Sequence, residues 1–449
     1  MLEPRADHWQ IQWNSGQQIL ALQATAEGLS PLNYASWYPQ LWYCYQYCLQ
    51  QNGKRVMLYQ PDILSFSSWF IALAMAGKQI VLPSDGQPAT LSMAAKQCDW
   101  HAPELPTHLT AITDIPLTLQ LSHDSRVCFF TSGSTGEPKL VDKTLCQLLR
   151  EVQTLNRHFG TQMARAELVA GTVSLQHIYG LLFRLLWPLC ANRPVYSEQL
   201  SYLEQWQSLL ALQPMIFISS PAHLARFDEL SLLTADAGKL CAFFSSGGPL
   251  PDEVPARYVA ALNTAPIEVY GSTETGGIGF RQRVTDNVDW QAFTNIELQQ
   301  DDRGALAIRS PHLPDGSLFQ TEDKVLLPAS GSFRLIGRLD RIVKLEEKRL
   351  SLPELEQFCL QSDLVAAASA LLLQEPRVQL ALVVVLSAKG QLVLRSAGKL
   401  TLNRLLKQHL LQRFERVLLP RKFRYVQALP YNNQGKLPRA QLEALFHND

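Results

Sequence analysis

Long apolar runs, close cysteine pairs and an excess of either charge are all missing from this sequence. No stretch of about 18 apolar residues occurs, the length at which a membrane-spanning helix becomes a candidate. Residues 178–190 are interrupted by Arg184, and residues 364–386 by Gln374, Glu375, Pro376 and Arg377. The N-terminal MLEPRADHWQIQWNSG is polar and lacks the apolar core of a secretory signal. The 8 cysteines (Cys44, Cys48, Cys98, Cys128, Cys146, Cys190, Cys241 and Cys359) contain no C-x-x-C pair, and several stand in apolar runs. Free thiols in a reducing compartment account for that pattern better than disulfides or zinc. A cytoplasmic protein without a membrane span is expected. Lys+Arg 40 against Asp+Glu 40 removes the electrostatic basis of a general nucleic-acid binder. Internal repeats and low-complexity tracts are absent too.

What is present is an ordinary globular composition, with 47% apolar and 18% charged residues over 449 positions. At roughly 100–200 residues per domain, this predicts roughly two to four structural units. The neutral total hides an asymmetry. Residues 341–449 carry 17 Lys+Arg and 9 Asp+Glu, and the preceding residues carry the opposite imbalance. A basic C-terminal piece can attract an acidic partner, a phosphate-bearing substrate or simply the acidic remainder of the chain.

Residues 38–49 show helical spacing with aromatics directed at a core. Residues 55–59 and 79–83 read as strands around a helix over 66–77, the pattern of a parallel βαβ unit. Further strands are expected at 127–130, 168–170, 215–218, 242–244 and 267–269. Residues 291–337 change to short alternating segments with turn signals, which predicts antiparallel β structure. Beyond a boundary near 337–340, Ser351-Leu352-Pro353-Glu354 is a helix-start signal. Residues 365–373 and 378–386 read as a strand pair. Leu402, Leu405, Leu406, Leu410 and Phe414 share one helical face. The fold class is α/β: a large N-terminal domain of βαβ sheets plus a small β subdomain (1–339), hinged to a small α+β C-terminal domain (340–449).

The sharpest chemical signal is Thr131-Ser132-Gly133-Ser134-Thr135-Gly136-Glu137-Pro138-Lys139, after a strand and before a helix. Glycines, hydroxyls and bare amides can cradle phosphate oxygens, and Lys139 adds a point charge. The spacing is not that of a Walker A loop. Downstream lie Ser245-Ser246-Gly247-Gly248-Pro249-Leu250, Tyr270-Gly271-Ser272-Thr273-Glu274-Thr275-Gly276 and Gln320-Thr321-Glu322-Asp323. They are followed by Gly337-Arg338-Leu339-Asp340-Arg341 and by Pro430-Tyr431-Asn432-Asn433-Gln434-Gly435-Lys436.

In kind and in order these motifs resemble the adenylate-forming superfamily of acyl- and aryl-CoA synthetases, peptide-synthetase adenylation domains and luciferases. The resemblance covers about residues 55–445. It implies that Ser132, Gly133, Ser134, Thr135, Gly136 and Lys139 hold ATP phosphates, with Thr131 beside them at the reacting groups. It implies that Gly247, Gly248 and Pro249 form the adenine slot, with Tyr270 stacked on the base beside Gly271. Thr273 would touch the α-phosphate and Glu274 would hold Mg²⁺. Asp323 would accept from the ribose hydroxyls, and Arg338 would contact ribose or phosphate. Asp340 would be the hinge and Lys436 the catalytic lysine. His177 would stand beside the carboxylate pocket, where residues 276–277, both glycine, would leave space.

The resemblance further implies acyl-adenylate formation and transfer of the acyl group to a phosphopantetheine thiol. That thiol belongs either to an acidic acyl carrier protein or to free CoA. Glu347 stands where the family usually has a tunnel-lining glycine, which weighs against free CoA. The substrate is expected to be a fatty or aromatic carboxylic acid. A module that merely holds a nucleotide or acyl-adenylate is the alternative from another class, and the intact Lys139, Glu274 and Lys436 argue against it.

Overall fold

The computed structural model describes every residue except 1, 5–7, 26–27, 107, 111, 133–137, 286–287, 330, 346–347, 375–377, 432–436 and 447–449. The chain forms two compact units. One comprises residues 1–132, 138–297 and 309–319; the other includes Leu298–Ile308 and Gln320–Asp449. Position 340 therefore lies inside the second unit, which also takes in the antiparallel strands between 320 and 338.

In the first unit the short apolar runs pair in parallel. Arg55–Met57, Gln79–Leu82 and Arg126–Ser132 lie side by side, with the helix Ile63–Met75 crossing between the first two. Ile80, Val81, Leu82 and Val127 are fully buried, as strands covered on both faces must be. Asp62 caps the crossover helix by accepting from the Ser65 amide at 2.8 Å, which satisfies one of the unpaired donors at a helix start. Trp100–His101 closes one edge of this five-stranded sheet and Pro138–Thr144 the other.

A second sheet of the same unit runs Trp290–Ala292, Gly276–Gln282, Ile267–Ser272, Leu240–Ser245, Met215–Ser219, Leu168–Gly171, Val195–Tyr196, Ile19–Thr25 and Gly28–Asn33. Pairing is parallel from Ile267–Ser272 through Ile19–Thr25. The strands before residue 34 are not evident in the sequence, because their alternation is short and broken by polar residues. The following helix, Tyr34–Gln50, begins before the predicted span of 38–49 and buries Tyr34 and Trp37 in addition to Tyr38 and Leu41, and Trp13 stacks on Tyr34 at 4.3 Å.

The helix Leu145–Arg165 opens with a reciprocal capping box between Thr144 and Gln147. After Gly180 the chain widens into a π-helix, Leu181–Leu186, a local form common near functional sites. Arg184, which interrupts the apolar run in the sequence, is buried there and donates to the carbonyls of Val173 and Glu198.

In the second unit, Phe319–Leu326 and Ser332–Arg338 pair antiparallel, as do Ile342–Leu345 and Lys348–Ser351. Val365–Leu373 pairs antiparallel with Gln379–Leu386, which pairs in parallel with Lys422–Val426. The parallel step requires a crossover, supplied by the helical segment Ala388–Leu410 with a break at Gly398 (φ 77°, ψ 169°). Leu402, Leu406 and Leu410 are fully buried on one face of it, each worth about 1.5–3 kcal/mol for leaving water. Ser351 accepts from the Glu354 amide at 3.3 Å, so this helix starts where its signal predicts. Among the described residues, no helix is long and apolar enough to cross a membrane.

Candidate functional site

Four parallel strands of the first unit end on the same edge: Leu168–Gly171, Met215–Ser219, Leu240–Ser245 and Ile267–Ser272. In open parallel sheets, ligands bind beyond the carboxyl ends of the strands. The chain places its singled-out segments there. His177 follows the first strand. Thr172 Oγ1 and Ser219 Oγ lie 2.9 Å apart across the first two. Ser246 to Pro249 follow the third, and Tyr270 to Glu274 close the fourth.

Residues 133–137 carry the phosphate-loop signal, so Gly133, Ser134, Thr135 and Gly136 lie outside the described residues. The strands that flank them do not. Pro138–Thr144 pairs antiparallel with Arg126–Ser132, with Lys139 opposite Thr131 and Pro138 opposite Ser132. The sequence reading expects a helix directly after the loop. A strand intervenes: residues 138–144 pair with Arg126–Ser132 at every position, and the helix starts only after Thr144, which caps it. That strand directs Lys139 and Lys143 to one face.

Both lysines reach the same turn. Lys139 Nζ stands 3.3 Å from Glu274 Oε1 in a largely exposed pair. Lys143 Nζ donates to the Glu274 main-chain carbonyl at 2.6 Å and to the His312 carbonyl at 3.0 Å. Burial pulls the Lys143 ammonium below its ordinary pKa, and Glu151 and Glu274 oppose that. For Glu274, burial pushes the carboxyl up. Its own backbone amide, the Ser272 hydroxyl and Lys139 outweigh this and hold it below the usual carboxylate range. The side chain is therefore an anion at neutral pH.

The turn itself is tightly built. The Ser272 amide donates to Thr275 Oγ1 at 3.0 Å, and that hydroxyl donates to the Gly276 carbonyl at 2.8 Å. A β-carbon on Gly271 would stand 2.2 Å from the Gly276 carbonyl oxygen, so only glycine fits there. Thr273 and Tyr270 are partly buried. Tyr270 lies 5.6 Å from the Trp290 ring, and the Arg281 guanidinium covers Trp290 at 4.4 Å. Arg281 in turn forms a two-pronged pair with buried Glu268 at 3.1 and 3.0 Å.

The expectation that residues 276–277 leave open space is corrected by the structure. A β-carbon on Gly276 would meet Glu151 Oε2 at 2.6 Å. Glu151 fills that room and accepts from the Gly277 amide at 2.6 Å. His312 completes the buried layer, with Nδ1 3.1 Å from the Gly277 carbonyl and Nε2 3.1 Å from Thr154 Oγ1. Lys143, Glu151 and His312 escape sequence reading. A lysine in a strand and a glutamate in a helix normally face water, and only long-range pairing reveals them as buried.

In the segment after Leu240–Ser245, Ser246 donates to the Val269 carbonyl at 2.8 Å. Gly247 takes φ +94° with open space around it, and Gly248 and Pro249 are exposed. This leaves an exposed surface poor in side chains. His177 is partly buried at the start of Ile178–Gly180.

In the second unit, Asp323 and Arg338 face each other across paired strands and form an ion pair at 3.2 Å. The sequence reading treats them separately; the structure joins them. Asp340 lies in the short 3-10 turn Leu339–Arg341. Arg341 donates to both Glu356 oxygens, at 2.9 and 2.6 Å. Lys436 and Glu347 lie outside the described residues.

Residues 96–297 match the AMP-binding enzyme family. The chain is 28% identical over 258 residues to a 4-coumarate–CoA ligase of Cereibacter sphaeroides, covering 57% of this chain and 55% of that protein, so it spans about half of that relative. It is 24% identical over 362 residues to a D-alanine–D-alanyl carrier protein ligase of Staphylococcus aureus, covering 72% of each. Its fold matches the ATP-bound MatB of Rhodopseudomonas palustris with a TM-score of 0.76 at 15% identity, over 97% of both chains.

Proposed function

We infer, from the premise that this chain is an AMP-binding enzyme of the adenylate-forming kind, that it activates a fatty or aromatic acid with ATP and loads it onto an acidic acyl carrier protein. The observation that carries this reading is the convergence of Lys139 and Glu274 at the carboxyl edge of the parallel sheet, 3.3 Å apart. A solvent-accessible cation and anion held together at that edge suit a magnesium–triphosphate ligand, one contacting phosphate oxygens and the other the metal.

Glu274 fits Mg²⁺ as a single ionised oxygen donor. Mg²⁺ commonly binds through one or two carboxylates plus substrate phosphates and water. Among the described residues no group of three or more His, Cys, Asp or Glu converges, so the phosphates and water would complete the coordination. When bound, Mg²⁺ would neutralise charge on the phosphate oxygens. The residues of this chain do the rest by positioning and charge. Lys139 and the segment 131–136 would hold the phosphates, the exposed surface at Gly247, Gly248 and Pro249 would take the adenine beside Tyr270 and Gly271, and Thr273 would contact the α-phosphate. His177 would border the acid. Lys436 would bridge the carboxylate and the α-phosphate.

In the first step a carboxylate oxygen bonds to the α-phosphorus, the bond to the bridging oxygen breaks, and pyrophosphate leaves. In the second, after rotation about Asp340, a phosphopantetheine thiolate bonds to the acyl carbon and AMP leaves. Asp323 and Arg338 would serve the ribose.

A basic stretch interleaved with exposed leucines suits an acidic carrier-protein surface as the acceptor. Residues 389–424 carry ten Lys and Arg and one acidic residue, Glu415. Arg395, Lys399 and Arg404 are exposed on the helical segment Ala388–Leu410, near exposed Leu392 and Leu400. The Glu347 substitution points the same way. Reversing the three cations to glutamate raises KM for a holo carrier protein by about tenfold, the size expected if each exposed pair is worth about 0.5 kcal/mol. Acid-dependent pyrophosphate release without an acceptor stays unchanged. An unchanged KM would remove this face from the docking argument.

The deciding assay is pyrophosphate release with Mg·ATP over a panel of fatty, benzoic, cinnamic and amino acids, each with no acceptor, CoA or holo carrier protein. Turnover with a fatty or aromatic acid, fastest with the carrier protein, is expected. A preference for CoA would transfer the activity to the free-thiol reading, and bound ATP without turnover on any acid would leave only a nucleotide-holding module.

A further inference from the structure

We propose that Lys143 and Glu151 are positioning residues that set the place of the Thr273–Glu274 turn relative to the phosphate-binding strand. This rests on the reading of Glu274 as the carboxylate that receives a magnesium nucleotide. Neither residue touches the solvent rim. Lys143 is 3% exposed and Glu151 5%.

Burying an ammonium or a carboxylate costs several kcal/mol unless its hydrogen bonds are good. Here both charges are spent on main-chain atoms of one short turn. Lys143 takes the Glu274 carbonyl from one side, and Glu151 takes the Gly277 amide from the other. The bonds between Ser272 and Thr275 close the chain on either side of Thr273 and Glu274. With its main chain gripped at Glu274 and Gly277 and closed from 272 to 275, the turn leaves the Glu274 side chain little choice of origin.

Two further contacts keep the anchors themselves in place. The His312 carbonyl accepts from Lys143 and from Gln147 Nε2, at 3.0 and 3.1 Å. The His312 ring joins Thr154 to the Gly277 carbonyl. Gln147, Glu151 and Thr154 all belong to Leu145–Arg165, whose capping residue Thr144 follows Lys143 directly. One continuous piece of chain, 138–154, therefore carries Lys139, the two turn anchors and, in Gln147 and Thr154, the residues that tie them to His312. Groups that orient a metal-binding carboxylate typically change metal affinity when removed.

The test uses the full-length enzyme and measures binding by calorimetry, with Mg·ATP and with ATP in excess chelator. Lys143→Met and Glu151→Ala each weaken Mg·ATP by about tenfold or more, the usual loss when such support is removed, while metal-free ATP changes by less than about twofold. Glu151→Gln keeps an oxygen that can accept from the Gly277 amide and restores Mg·ATP affinity toward the parent value. A purely structural role would lower the melting temperature and weaken both forms of ATP alike, and that result overturns the proposal. If Lys143→Met does not fold, the Glu151→Ala and Glu151→Gln pair decides alone. Glu274→Gln is the reference. If it abolishes the magnesium advantage while the Lys143 and Glu151 variants keep it, the positioning role falls and the site stands. If Glu274→Gln itself keeps that advantage, the reading of Glu274 falls and the positioning role with it.

Discussion

Lys436→Ala lowers acid-dependent pyrophosphate release by about 10²–10³-fold, the range seen when one preorganised group facing developing charge is removed. ATP binding stays within about twofold. The expectation follows from charge. As the carboxylate approaches the α-phosphate, two anionic groups are forced together, and an ammonium between them is worth most at that moment. Such an interaction is stronger in the transition state than in the ground state, so it raises the rate without tightening binding. The measurement is single-turnover formation of acyl-adenylate beside an ATP isotherm. Adenylation at the parent rate would take the catalytic role from Lys436. Loss of ATP affinity equal to the loss of rate would make it a binding residue instead. The thioester step, started from pre-formed acyl-adenylate and holo carrier protein, separates the two halves of the reaction: it persists in Lys436→Ala if the lysine serves adenylation alone.

Glu274→Gln has the second large effect. It removes the anion while leaving the turn its shape, since Lys143 grips the main-chain carbonyl and not the side chain. Affinity for Mg·ATP falls by about 10–100-fold, and the magnesium concentration needed for half-maximal turnover rises with it. The carboxylate 3.3 Å from Lys139 is neutralised, which removes a negative charge beside the phosphates, so metal-free ATP binds no worse and the difference between the two nucleotide forms shrinks. An unchanged magnesium requirement would show that the metal is held elsewhere. Titrating turnover against magnesium at fixed ATP, in parent and variant, is sufficient.

The parallel core was legible because its strands are continuous apolar runs such as Val127–Phe130 and Met215–Ile218, and buried parallel strands can be nothing else. The C-terminal elements were legible for a different reason: the Ser351 cap and the Leu402, Leu406 and Leu410 stripe are local signals that need no distant partner. The strands at Ile19–Thr25 and Gly28–Asn33 were not legible. They pair with each other as a hairpin, but the place of Ile19–Thr25 in the sheet is given by Val195–Tyr196, a contact across well over a hundred residues that leaves no local period. The site divides in the same way. The glycine- and hydroxyl-rich loop before Lys139 is conspicuous in its own neighbourhood, and Thr273, Glu274 and Gly247 could be named through the family resemblance of their motifs. Lys143, Glu151 and His312 could not, because nothing in their neighbours announces that a charged side chain will turn inward. The pairing of Asp323 with Arg338 was likewise invisible, although both residues had been singled out, because strand register decides it.

The strand Pro138–Thr144 also determines where the chain tolerates changes in length. Side chains on a strand alternate faces, so Lys139 and Lys143 share a face only because an even number of steps separates them. Residues gained or lost between 132 and 138 shift both lysines together and leave that parity untouched. One residue gained or lost between 139 and 143 places the two on opposite faces, and a single turn can no longer be held by both. Changes of length in the loop are therefore expected to cost nucleotide binding but not folding, whereas changes between 139 and 143 cost both. A library of single-codon deletions across 132–144, scored for turnover and for melting temperature, would separate the two: turnover falls throughout, and stability falls only from Lys139 onward.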